Sequence, residues 1–212
     1  MFSLERLIIM IPPFLFAITI HEFSHGLAAF KLGDPTAYNA GRLTLNPIHH
    51  LDVFGTLMLF FVGFGWAKPV PINPYNLKNP LKDQLWISLA GPASNLISAF
   101  VFGMIIRLLG LAYIPVAQSS VAGILIQMVV FSLQLNIILA VFNLIPIPPL
   151  DGAHILEGVL PNSSREWLYS YEKYGSLILM GIIMLGFISG INIFGIFFTP
   201  FIKIFSYLFA GI

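Results

Sequence analysis

Residues 20–26 read IHEFSHG and lie near the end of the first long apolar run of this 212-residue chain. His21 and His25 are four apart, so a helix stands them on one face, one turn above the other. That spacing lets two imidazoles share one metal ion, while Glu22, beside the first, can reach a water on that ion as general base. The alternative is accidental, with polar side chains tucked against a neighbouring helix. Context favours the metal: two histidines and a glutamate inside a bilayer helix are costly and call for a function.

The elements that must position these residues are set by composition. A mean hydropathy of +0.90, with 58% hydrophobic and 9% charged residues, describes a chain whose solvent is mostly lipid. A net charge of +1 supplies no basic face for nucleic acid. With no cysteine in the chain, thiolate ligands are excluded, and a transition metal has only His, Asp or Glu to hold it.

Residues 7–30 are long enough to span a bilayer, and no small-x-small cleavage site interrupts them, so they read as a retained membrane helix rather than a secretory signal. Residues 31–52 are polar and turn-rich, with Arg42-Leu43-Thr44-Leu45 alternating like a short strand. The uncharged run 53–67 is short for a span and suits a re-entrant or interfacial segment. Residues 84–106 and 121–145 span again. The second runs into IPIPPLDG, whose prolines stop the helix. Residues 174–202 form either one span plus an interfacial piece or two short spans turning near 190–192. The expected fold is an all-α polytopic bundle of about four to six membrane helices, with a small membrane-associated β-hairpin after the first helix. It forms a single domain, 1–212, with a core at 7–160 and C-terminal helices at 174–212.

Lys31, Arg42, Lys68, Lys78 and Lys82 fall on one side of the membrane if 53–67 dips in and returns. The positive-inside rule makes that side cytoplasmic and puts the N-terminus outside. The same parity brings Asp151 to the membrane face that carries His21 and His25. A catalytic zinc typically takes three protein ligands and one open position. Asp151 is the acidic residue embedded between apolar, proline-broken segments at a helix end. Alone it reads as a helix cap; paired with HEFSH it reads as the third ligand.

Three segments resemble the site-2 protease family of intramembrane zinc metalloproteases: HEFSH at 21–25, GPASN at 91–95 and NLIPIPPLDG at 143–152. The resemblance covers roughly residues 15–160 and is to a compact form, without a PDZ or nucleotide-sensing domain. It implies that His21, His25 and Asp151 bind one zinc ion and that Glu22 is the base. Asn95 and Asn143 would be polar helpers near the scissile peptide, and residues 39–47 a hairpin near the substrate. The implied partners are the lipid bilayer and a transmembrane or membrane-associated protein substrate. Self-association into a homo-oligomer is left open.

His154, three residues after Asp151, reads as a second-layer partner of the site or as an interfacial residue. His49 and His50 are adjacent and read as interfacial polar residues. Two rival functions share these features: a membrane metal carrier, and a catalytically inactive scaffold of the same fold.

Overall fold

The computed structural model describes residues 4–62, 65–161 and 165–212, whose regular structure is all helical. In order these are α1 (Leu4–Lys31), the single turn α2 (Thr36–Asn39), α3 (Val53–Val62), α4 (Pro80–Leu108), α5 (Val121–Asn143), α6 (Asp151–Val159), α7 (Arg165–Ser189) and α8 (Ile193–Ala210). Among the described residues, α1, α4, α5 and α8 are long and apolar enough to cross a bilayer. The apolar run at the C-terminus divides between α7 and α8 at Gly190, which has φ +68°, and at Asn192, whose side chain accepts from Gly195 N at 2.8 Å.

The long helices start and stop for local reasons. Proline occupies the first position of α4, where its missing N–H costs nothing, and Asp83 Oδ2 accepts from Asn79 N at 2.9 Å. Ser120 Oγ caps α5 by accepting from Gly123 N at 3.0 Å. Helix α4 is the hub and packs against α1, α5, α6 and α8. Its contact with α5 and α8 is built on Ala99, Ile106, Leu133, Ile137 and Ala210. Gly103 permits it: a Cβ there would lie 2.5 Å from Phe209 Cβ. In lipid, where burial gains little, such close approach through small residues is what joins helices.

The region after α1 departs from the expected hairpin. Among the described residues there is no strand, and residues 43–45 form bends. The alternation there is taken up by other partners: Arg42 N donates to Ala37 O at 2.8 Å, and its guanidinium donates to Lys68 O. Among the described residues, the one β-type pairing is an isolated antiparallel bridge between Leu51 and Ala67, backed by Lys68 N donating to His50 O at 2.9 Å. Because the two ends of the 51–67 segment are joined, the segment returns to where it started.

Asp34 ties this region together. It is fully buried, and its carboxylate accepts from Thr36 N (3.1 Å), Thr36 Oγ1 (2.5 Å), Asn73 N (2.7 Å) and Asn76 Nδ2 (2.7 Å). Burial pushes its pKa up, but the donors on Asn76, Thr36 and Asn73 outweigh burial and hold the carboxyl below the usual range. A carboxyl whose folded pKa lies below its unfolded value of about 4 stabilises the fold above that value, and the contribution disappears as pH falls through the folded pKa. Asp34→Ala is expected to lower stability by on the order of 3 kcal/mol at neutral pH, since buried charged hydrogen bonds are lost and their donors stranded. Thermal unfolding in detergent should show wild type and variant converging as the pH is taken below about 4.

Candidate metal centre

The site is assembled from α1, α4, α5 and the start of α6. Helix α1 carries His21 and His25 on one face, and both are buried. Their orientations follow from groups that can only accept. Asn95 Nδ2 donates to Ala17 O at 3.0 Å and to Asn136 Oδ1 at 2.8 Å, which leaves Asn95 Oδ1 facing His21 Nδ1 at 2.7 Å. His21 Nδ1–H is therefore the donor. Likewise, His25 Nδ1–H donates to the main-chain oxygen of Ile87 at 2.7 Å. Both Nε2 atoms are left with lone pairs, and these point at one another across 3.0 Å.

Asp151 is the first residue of α6, and Leu150 occupies the cap position, so its carboxylate does not cap the helix. Asp151 Oδ2 instead lies 3.2 Å from His21 Nε2 and 3.3 Å from His25 Nε2. Gly152 makes this placement possible: a Cβ there would come within 2.4 Å of the carbonyl oxygens of Leu144 and Ile145. Helix α6 is in turn held on α4, with Gly158 against Leu85.

These three atoms suit a metal. In neutral rings hydrogen-bonded through Nδ1, neither Nε2 carries a proton, so the buried Asp151 Oδ2 has no donor. Three lone pairs then converge and repel unless a cation stands among them. A tetrahedral zinc with bonds of about 2.0–2.1 Å separates its ligand atoms by roughly 3.3 Å. The observed edges, 3.0, 3.2 and 3.3 Å, lie close to that spacing. The hydrogen bonds behind each imidazole are the kind that fix tautomer and ring direction in metal sites.

Glu22 sits beside His21, buried, with Oε2 accepting from Val70 N at 2.9 Å. The other sequence-selected residues lie as follows. Asn95 spends its oxygen on His21 and its amide on Ala17 and Asn136, so it braces His21 from behind. Asn143, half-buried in the last turn of α5, donates to Leu139 O. His154 lies 3.7 Å from Glu157, near Glu172, and is paired with that carboxylate rather than with the Asp151 cluster. His50 is not interfacial: it is fully buried, with Nε2 at 2.8 Å from Thr44 O.

Sequence reasoning gave Asn136 and Val70 no role and read Arg42 only as part of a short strand and as a topology charge. Asn136 was findable as a lone amide in the middle of an apolar span. It is fully buried and bonded to Asn95 and to Ser132 O. Because Asn95 holds His21 in its tautomer, Asn95→Ala is expected to weaken zinc binding about 10- to 100-fold, read by competition with a chelating dye.

The profile of peptidase family M50 matches residues 9–188. Over 164 residues the chain is 43% identical to "Putative zinc metalloprotease YwhC" of Bacillus subtilis, covering 77% of this chain and 74% of the relative. It is 30% identical over 181 residues to Rip2 of Mycolicibacterium smegmatis, whose name carries the same designation, covering 82% of this chain and 65% of that one. MJ0611 of Methanocaldococcus jannaschii, again so designated, is 28% identical over 137 residues, which is 65% of this chain and 63% of the relative. No solved structure matches the chain. With its apolar helices, the chain is an integral membrane protein. It belongs to peptidase family M50, the site-2 protease family.

Proposed function

We propose that the chain is an intramembrane zinc metalloprotease that hydrolyses peptide bonds in or near transmembrane segments of other proteins. The observation that supports this most is the convergence of His21 Nε2, His25 Nε2 and Asp151 Oδ2 at tetrahedral-edge spacing, with Glu22 next in sequence to the first ligand. Zinc bound by these atoms supplies a Lewis acid that brings the pKa of a water toward ~7 and polarises a carbonyl.

The protein's own groups carry the remaining steps. Glu22 takes a proton from the attacking water and returns it to the leaving amine as the C–N bond breaks, so acid and base roles alternate on one carboxylate. Asn95 keeps His21 Nε2 available as a ligand. Asn143 is the residue left to hydrogen-bond the substrate backbone or the developing oxyanion. A substrate helix hides each carbonyl in an i to i−4 bond, so cleavage requires a locally unwound stretch. The joined ends of 51–67 support an orientation with Lys31, Arg42, Lys68, Lys78 and Lys82 and the site toward the cytoplasm, and the N-terminus outside.

Purified protein in liposomes is expected to cleave a model transmembrane substrate, to lose that activity on zinc chelation and to regain it when zinc is restored. Cleavage that persists after full zinc removal would contradict the reading. Zinc flux without cleavage would favour a carrier, and zinc bound with neither flux nor cleavage an inactive scaffold.

A further inference from the structure

The segment 66–73 crosses the site as an extended strap, and its attachments are specific. Ala67 pairs with Leu51, and Lys68 N donates to His50 O. Arg42 Nη2 donates to Lys68 O at 2.7 Å, and Asn73 N donates to Asp34 Oδ2 at 2.7 Å. Between these anchors the buried Val70 turns its N–H onto Glu22 Oε2. Pro69 and Pro71 fix φ on either side and carry no N–H, so Val70 is the one amide donor of the tripeptide. Arg42 is buried, its Nε lacks a partner, and among the described residues no carboxylate pairs with it. A guanidinium buried in this way is costly to keep for stability alone.

We propose that Arg42 is a positioning residue for the peptidase reaction: by gripping Lys68 O it holds the strap so that Val70 N–H fixes the carboxylate of Glu22. This rests on the protease reading above. A carboxylate held by one main-chain donor keeps one oxygen occupied and the other turned to its task. Losing that hold leaves the zinc ligands intact and displaces only the base.

The test compares wild type, Arg42→Ala, Arg42→Lys, Val70→Pro and Glu22→Gln, each with zinc content, steady-state cleavage and amide exchange. Arg42→Ala is expected to keep one zinc, to lose about 10- to 100-fold in kcat with KM little changed, and to exchange the Val70 amide at least about tenfold faster. Because Pro69 and Pro71 have no amide hydrogen, exchange within 69–71 reports Val70 alone. Arg42→Lys, which restores a donor to Lys68 O, should recover part of both losses. Val70→Pro, which removes the N–H and fixes φ at a position already flanked by prolines, should lose at least as much in kcat as Arg42→Ala while keeping one zinc. Wild-type kcat and wild-type Val70 protection in Arg42→Ala, beside an inactive Glu22→Gln, would overturn this inference and leave the protease reading standing. Full cleavage by Glu22→Gln would overturn both.

Discussion

Glu22→Gln is expected to lower the cleavage rate by about a thousandfold while the protein still folds and still binds one zinc. Glutamine has nearly the shape of glutamate, and its oxygen can accept from Val70 N as Oε2 of Glu22 does. What it lacks is proton affinity. General acid–base assistance is worth roughly 10²–10⁴ in rate, and here one group serves both halves of the exchange, so the upper part of that range applies. The atoms placed to hold the metal, on His21, His25 and Asp151, belong to other side chains. The loss should therefore appear in kcat/KM and in kcat alike, with metal content unmoved. A loss of zinc in this variant would mean that Glu22 is a ligand rather than the base.

The second large effect is expected at a residue with no functional group. Gly91 lies against the two imidazoles: a Cβ there would stand 2.3 Å from His25 Nε2, 2.6 Å from His25 Cε1 and 2.7 Å from His21 Cε1. Neither ring has somewhere to go, because His21 is tied to Asn95 and His25 to Ile87 O. In a helix interior, alanine is worth about 1 kcal/mol over glycine. A contact near 2.3 Å outweighs that gain and must push a ligand or α4 itself aside. Gly91→Ala is thus expected to weaken zinc affinity at least about 100-fold, or roughly 3 kcal/mol, while helix content holds. Isothermal titration of zinc-free protein reads this directly, and wild-type affinity in Gly91→Ala would refute the packing argument.

The parts of the site legible in the sequence are those with a spacing rule behind them. A spacing of four between the histidines defines one helical face, and counting membrane crossings brought Asp151 to their side. The Leu51–Ala67 bridge brings the two ends of 51–67 together, as a returning segment requires. The alternation at 42–45 misled because period two describes a strand only where a partner edge exists. Arg42 has Lys68 O and Ala37 O instead. His50 looked interfacial because a polar ring beside another ring carries no sign of burial, yet it lies wholly inside the loop region. Asn95, expected near the peptide, meets the back of His21, a contact that depends on which element packs behind the histidines. Val70 was beyond reach for a simpler reason. It acts through its backbone N–H, which every residue but proline possesses.

His21, His25 and Asp151 are expected to hold one zinc ion between them. Zinc content per polypeptide, measured by elemental analysis on detergent-purified wild type, Glu22→Gln and Asp151→Ala, tests this expectation most directly. One zinc is expected in the first two and well under one in Asp151→Ala. One full equivalent retained by Asp151→Ala would contradict it.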